Sequence, residues 1–156
     1  MIKKICAQAQ GLLSLLDHLD RLQPVVLLAL RAYIAWVFIK SGLTKIEDWN
    51  VTLALFNDEY KVPLLPPALA AVMGASGELL LPPLLLLGLQ GRFAALGLFV
   101  VNFMAVISYP ALFEFDCPAA IMFHFVWGSI LLGLAIFGPG ALSLDAMLKK
   151  RLMATA

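Results

Sequence analysis

Residues 74–83 of the chain read GASGELLLPP and lie inside an apolar run from Val62 to Leu89. The run carries one carboxylate, Glu78, followed by two consecutive prolines, Pro82 and Pro83. A helix needs about 20 apolar residues to cross roughly 30 Å of hydrocarbon, and this run is long enough. A charged side chain near the centre of such a helix costs about 2.5–3.5 kcal/mol on insertion. We therefore expect Glu78 to face the bundle interior and to contact a side chain of opposite charge or a hydrogen-bond donor there.

The composition extends this interpretation to the whole chain, which is 62% hydrophobic and 13% charged, with a mean hydropathy of +0.94. Soluble proteins are about 45–50% apolar and about 25% charged. Three further apolar runs are long enough to span a membrane: Pro24–Thr44, Phe93–Phe113 and Cys117–Leu144. The sequence predicts an all-α bundle of four transmembrane helices, at about 24–44, 65–89, 92–112 and 118–138, forming one domain over residues 24–144.

The two ends of the chain have a different pattern. Within residues 1–23, leucines recur at helical spacing between polar residues, which predicts an amphipathic helix lying in the membrane interface: Leu12, Leu15, Leu16, Leu19 and Leu22. Residues 145–156 form a short basic tail, predicted to be cytoplasmic like the N-terminus.

The orientation follows from the distribution of charge. The face with both termini and the 90–92 turn holds seven basic and three acidic residues: Lys3, Lys4, Arg21, Arg92, Lys149, Lys150 and Arg151 against Asp17, Asp20 and Asp145. The other face holds two basic and six acidic residues: Lys45 and Lys61 against Glu47, Asp48, Asp58, Glu59, Glu114 and Asp116. Because Lys and Arg stay on the cytoplasmic side, both termini are predicted to be cytoplasmic, in a multi-pass protein of the inner membrane. Nothing in this balance indicates nucleic-acid binding.

The two cysteines, Cys6 and Cys117, fall on opposite faces in this topology and cannot pair with each other. No C-x-x-C or His/Cys ligand spacing occurs, so no metal site is predicted. Cys117 either bridges to another chain or is a small buried apolar residue. The sequence therefore leaves open whether the protein forms a homo-oligomer.

Counting 1.5 Å per residue along each span places Arg31, Glu78 and Asn102 at a similar depth. Pro82 and Pro83 cannot donate to the carbonyls four residues before them, which leaves two acceptors beside Glu78. An ion pair between Arg31 and Glu78, with Arg31 donating to these carbonyls, is the predicted arrangement. Such a node either fixes helix register or serves a ligand, proton or quinone site; snorkelling of the two side chains past each other is the third alternative.

A second group lies nearer the outer surface and consists of Lys40, Tyr109 and His124, with Trp127 close by in an aromatic-rich edge. These four residues are the candidate contacts for a quinone or another ring ligand. An interfacial aromatic belt with one hydrogen-bonded histidine explains His124 equally well, and Lys40 can snorkel to the interface. No catalytic residue is assigned.

The sequence resembles the DoxX family of small four-helix membrane proteins. Three stretches carry the resemblance: RAYIAWVFIKSGLTKI at 31–46, GELLLPPLLLLGL at 77–89 and GPGALSLDAML at 138–148. Members typically have an arginine opening the first span, a later S-G-x-x-K, a glutamate in the second span and a closing S-L-D. The family takes its name from a subunit associated with thiosulfate:quinone oxidoreductase, and other members resemble membrane partners in oxidative-stress, sulfur or metal-handling assemblies.

The resemblance implies an accessory or scaffold subunit of the cytoplasmic membrane, non-catalytic itself, that contacts a protein partner and acts in redox, sulfur or metal-stress homeostasis. The alternative is a quinone-linked oxidoreductase subunit, with quinone as the only cofactor under consideration. Thiosulfate itself is disfavoured because a dianion would meet the acidic outer face. A small-solute carrier is disfavoured because the four spans contain no inverted repeat.

Overall fold

The computed structural model describes residues 20–114 and 119–155, which are all-helical apart from connections. In chain order the helices are α1 Gln23–Glu47, α2 Trp49–Asp58, α3 Pro67–Leu87, α4 Gly91–Ser108, a 3₁₀ turn Pro110–Phe113, α5 Ala119–Phe137 and α6 Leu144–Ala154. Four of them, α1, α3, α4 and α5, are long and apolar enough to cross a membrane. The prediction of a four-span all-α protein is confirmed.

Some predictions lie outside this description. The interfacial helix at residues 1–23 falls almost wholly on residues that the structure does not describe, as do Cys6 and Cys117. The orientation of the termini stays a prediction.

The four long helices pack in a closed ring, with α1 on α3, α3 on α4, α4 on α5 and α5 back on α1. The core between them consists of large aliphatic and aromatic side chains interleaved with alanines: Ile34, Phe38, Leu85, Ala94, Ala95, Leu98, Leu131, Leu134 and Ala135. Large apolar side chains also cover much of the outer surface. That distribution suits a bundle surrounded by hydrocarbon, which is as apolar as leucine.

Helix α2 lies between the first two spans, in the region that the charge distribution assigns to the outer face. Its first turn is capped by Asp48, whose carboxylate accepts a hydrogen bond from the Val51 N–H at 3.0 Å. Phe56 of α2 packs against Ala70 and Ala71 of α3 in a second small core. We call this end of the bundle, with α2 and the connection to α3, the α2 end.

The opposite end is closed by the turn between α3 and α4. Gly88 adopts a left-handed conformation with φ of 64° and ends α3, where a side chain would collide with Ser143. The Asp145 carboxylate accepts hydrogen bonds from the Gln90 and Gly91 N–H groups, both at 2.9 Å, at the start of α4. Because the N-terminus of a helix attracts negative charge, Asp145 fastens the start of α6 to the start of α4. We call this the turn end.

Gly42 sets the distance between α1 and α3. A Cβ at this position would lie 2.8 Å from the Leu79 Cγ and 3.1 Å from the Glu78 Cβ. The two backbones therefore approach closely at the level of Glu78, as small residues allow in membrane helices.

We expect Gly42→Ala to destabilise the bundle by about 1–3 kcal/mol, because the added methyl group overpacks the contact with α3. Gly133→Ala is the matched control, since a Cβ there meets no atom within 4 Å. Both substitutions gain the same helix propensity. Thermal unfolding of the detergent-solubilised variants measures the difference, and equal melting temperatures would contradict the close contact.

Candidate functional site

The predicted ion pair between Arg31 and Glu78 is wrong. The Arg31 side chain is fully buried and donates through Nη1 to the Leu86 carbonyl at 2.9 Å and through Nη2 to the Leu142 carbonyl. Leu86 lies in the last turn of α3, where carbonyls lack intrahelical donors and the helix dipole is negative. Arg31 therefore caps α3 and ties it to the segment before α6.

The difference in depth arises from unequal helix lengths. Depth counting treats all spans as beginning at the same plane, but α1 has 25 residues and α3 has 21, or roughly 37 and 31 Å. Arg31 is about 12 Å along α1 and yet lies level with the end of α3. Glu78 is about two turns before Leu86 along α3, so the two charges are separated by roughly 12 Å along the bundle.

Glu78 instead pairs with Lys45, with 2.7 Å between the Glu78 Oε2 and the Lys45 Nζ. The same ammonium group donates to the Ser41 hydroxyl at 3.0 Å. The charge distribution puts Lys45 on the outer face, but α1 continues to Glu47 and carries Lys45 into the bundle. The Glu78 side chain is thus buried with a charged partner, as a carboxylate at this depth requires.

The two prolines lie between the ion pair and the level of Arg31. Helix α3 continues through Pro82 and Pro83 without a break, and Pro82 is buried. Neither ring can donate to the carbonyls of Glu78 and Leu79, as expected, but the hydrogen bonds of Arg31 go elsewhere. The prolines therefore do not form one node with Arg31 and Glu78.

Asn102 and His124 form a two-point contact between α4 and α5. The Asn102 Nδ2 donates to the His124 carbonyl at 3.0 Å, and the Asn102 Oδ1 lies 2.9 Å from the His124 Nδ1. Because the amide oxygen only accepts, the imidazole carries its proton on Nδ1. In the neutral ring, the lone pair of Nε2 can then accept a hydrogen bond from a further group.

A cavity of about 640 Å³ lies between α1, α4 and α5 toward the α2 end. It brings together the whole predicted outer group and two of the predicted inner residues: Lys40, Tyr109, His124 and Trp127 with Glu78 and Asn102. Lys45 also lines it, whereas Arg31, Pro82 and Pro83 do not. We call it the polar cavity.

Aromatic side chains hold the walls of the polar cavity in place. The Trp127 Nε1 donates to the Tyr33 hydroxyl at 3.1 Å, which joins α5 to α1. The His124 ring packs edge-on against the Trp127 ring, with 5.1 Å between centroids. An imidazole held by both an amide and an indole has a defined orientation, as a binding site needs.

Tyr60 and Tyr109 close the cavity at the α2 end, with their rings edge to face and 5.0 Å between centroids. Burial raises the pKa of the Tyr60 phenol above its usual value, and the neighbouring Tyr109, Glu78 and Glu59 raise it further. The phenol therefore stays protonated at neutral pH, so Tyr60 is a neutral wall residue that can donate a hydrogen bond.

Lys45 is the residue that reasoning from the sequence missed. It lies fourteen residues after Arg31, which on a helix of 3.6 residues per turn puts the two nearly on the same face. The buried positions Arg31, Ile34, Phe38 and Gly42 follow that face. The fact that this buried face extends to Lys45 is the feature of the sequence from which its position inside the bundle could have been predicted.

No group of three His, Cys, Asp or Glu residues that could share a metal ion occurs within residues 20–114 and 119–155. The candidate site in this part of the chain is a cavity lined by aromatic rings, two ammonium groups, one carboxylate and one imidazole. Its chemistry is that of hydrogen bonding and ring stacking.

The fold and the cavity define a multi-pass membrane protein with four spanning helices and a polar pocket inside the bundle. The DoxX family model matches residues 26–111, more than half of the chain. The chain therefore belongs to the DoxX family. It is also similar to an uncharacterized protein from Haemophilus influenzae (strain ATCC 51907 / DSM 11121 / KW20 / Rd), with 34% identity over 131 residues that cover 81% of this chain and 85% of that protein. No solved structure matches the chain.

We expect Lys45→Met and Glu78→Gln to be coupled. Lys45→Met should lower the free energy of unfolding by about 3–5 kcal/mol, because it leaves a buried carboxylate unpaired. The double variant should lose less than the sum of the single losses, since no orphaned charge remains. Melting temperatures in detergent measure the cycle.

The matched control is the same cycle on Arg31→Met and Glu78→Gln. Residues far apart with no shared partner behave additively, so these two losses should add. Additive losses in the Lys45 cycle, or strong coupling in the Arg31 cycle, would contradict the pairing described above.

Proposed function

We propose that this DoxX family member is an accessory subunit of the cytoplasmic membrane whose polar cavity binds the head group of a quinone. The observation that carries the proposal is the convergence of Lys40, Tyr109, His124 and Trp127 on one cavity of about 640 Å³. Pockets for small organic ligands measure about 300–1,000 Å³ and combine aromatic walls with a few polar groups.

The polar groups suit a quinone in both of its redox forms. A quinone presents two carbonyl acceptors, and the Lys40 ammonium and the Tyr109 hydroxyl can donate to them. A quinol presents two hydroxyl donors, and the His124 Nε2 can accept from one of them while Nδ1 stays with Asn102. Trp127 offers a ring face for stacking.

Access from the bilayer supports a lipid-soluble ligand over a water-soluble one. Trp36 lines the polar cavity and is 68% exposed on the outer face of α1. Tyr33, one turn earlier, also lines the cavity and is exposed. The cavity therefore reaches the surface of the bundle at a face that lies in the membrane, where quinones dissolve.

The accessory role follows from the chemistry of these side chains. Hydrogen bonds and stacking bind and orient a quinone, but its reduction or oxidation needs an electron carrier. We place that carrier in a protein partner, which makes this chain a membrane subunit in redox homeostasis. The family resemblance gives a quinone-linked oxidoreductase as the alternative function. In this proposal that enzyme is an assembly of several subunits, and this chain supplies its quinone pocket.

We expect His124→Ala to weaken binding of a quinone without a side chain by about tenfold, which corresponds to the loss of one good hydrogen bond. Equilibrium dialysis of the purified protein in detergent micelles, with empty micelles as background, measures the dissociation constant. Phe125→Ala is the matched control, because Phe125 is adjacent to His124, 62% exposed on the bundle surface and outside the cavity.

An unchanged dissociation constant in the folded His124→Ala variant would remove His124 from the site. If the wild-type protein binds no quinone, the quinone pocket is wrong and the scaffold role stands without a ligand.

The proposed location places Asn57, exposed at the end of α2, on the non-cytoplasmic side of the membrane and Thr155, exposed after α6, in the cytoplasm. In a background with Cys6 and Cys117 replaced by serine, we expect Asn57→Cys to react with a membrane-impermeant thiol reagent in intact cells. Thr155→Cys should react only after permeabilisation. The reverse pattern would invert the topology and the positive-inside assignment.

A further inference from the structure

A second cavity, of about 170 Å³, lies between α3 and α4 beneath α2. Ten of its fourteen lining residues are apolar or glycine, and the polar ones are Lys45, Tyr60, Glu78 and Ser108. Small residues make the space, because Ala70 and Gly74 of α3 face Ala105 of α4 across it. We call it the apolar groove.

The apolar groove adjoins the polar cavity. Five residues line both: Lys45, Tyr60, Glu78, Val101 and Ala105. The Lys45–Glu78 ion pair therefore lies on the border between a compartment rich in polar groups and one that is almost wholly apolar. A molecule that occupies both compartments is amphipathic, with its polar part on the side of His124.

The groove also meets the lipid-facing surface. Met73 of α3 and Val100 of α4 line it and are 54% and 56% exposed on the outside of the bundle. This opening between α3 and α4 is separate from the one at Trp36 on α1. A hydrocarbon chain that leaves the bilayer here stays among apolar atoms throughout, so its transfer costs little.

We propose that the apolar groove holds the hydrocarbon chain of the ligand whose head group occupies the polar cavity. This rests on the proposed function and narrows its ligand to a quinone that carries an isoprenoid or alkyl chain. The chain passes the Lys45–Glu78 pair on the side of Val101 and Ala105 and leaves the bundle between Met73 and Val100. The ion pair then meets the head group, and the apolar walls meet the chain.

Gly74→Leu tests the groove without touching the polar cavity, because Gly74 lines only the groove. A Cβ at Gly74 meets only the Phe56 ring, at an ordinary 3.6 Å, so the rest of the leucine side chain fills the groove. Gly133→Leu is the matched control, since it makes the same change where a Cβ meets no atom within 4 Å. Equilibrium dialysis compares two quinones with the same ring, one without a chain and one with a short isoprenoid chain.

We expect Gly74→Leu to weaken binding of the chain-bearing quinone at least about tenfold, while the chain-free quinone binds as it does to wild type. Gly133→Leu should leave both dissociation constants unchanged. Unaltered binding of both quinones to Gly74→Leu would overturn the groove and leave the polar cavity intact. Absence of chain-free quinone binding to wild type would overturn the proposed function, and the groove with it.

A second measurement uses the wild-type protein and so does not depend on a variant that folds. A quinone with a photoreactive diazirine at the end of its chain should crosslink to α3 and α4, at peptides containing Met73 or Met104. Both residues line the apolar groove and neither lines the polar cavity. Crosslinks confined to α1 and α5 would place the chain at the Trp36 opening and overturn the proposal.

Discussion

The ion pair between Lys45 and Glu78 is the interaction on which the rest of the bundle depends. A carboxylate in the second long helix has to be met by a cation, because hydrocarbon offers it no water. Lys45 reaches it from the end of α1 only because α1 and α3 approach closely at Gly42. That contact fixes the level of α1 against α3, and with it the space that remains between α1, α4 and α5. The polar cavity is this remaining space.

Hydropathy and length were sufficient to predict four spans and their approximate limits. An unpaired backbone polar group in lipid is so costly that an apolar segment of this length has few alternatives to a helix. The outer group of Lys40, Tyr109 and His124, with Trp127 close by, does line one cavity. Each of the first three lies near the α2 end of its span, where an error of a few residues in depth still leaves them together. The partner of Glu78 could not be predicted in this way. Its depth had to be counted across about half of α3, and α1 begins well beyond the level at which α3 ends.

Arg31 shows why a charge alone does not identify its partner. A guanidinium group is satisfied by any well-placed acceptors, and the free carbonyls at the end of α3 are as suitable as a carboxylate. The sequence shows that Arg31 needs hydrogen-bond acceptors. It does not show which backbone carbonyls these are, because a carbonyl at a helix end has no side-chain pattern that identifies it. Two of the three cations of α1 therefore have different roles: Arg31 joins helix ends, and Lys45 neutralises the acidic residue beside the cavity.

The contact of Arg31 with Leu142 also has a consequence in time. Its acceptor is 111 residues further along the chain. At a synthesis rate of about 5–20 residues per second, roughly 6–22 seconds separate the emergence of the two residues from the ribosome. For that interval the Arg31 Nη2 lacks its acceptor, although the Leu86 carbonyl that accepts from Nη1 emerges earlier. Water, lipid head groups or the insertion machinery must solvate Nη2 until then. The connection between α5 and α6 therefore completes the environment of a charge buried in α1, so that environment forms only when synthesis is nearly finished.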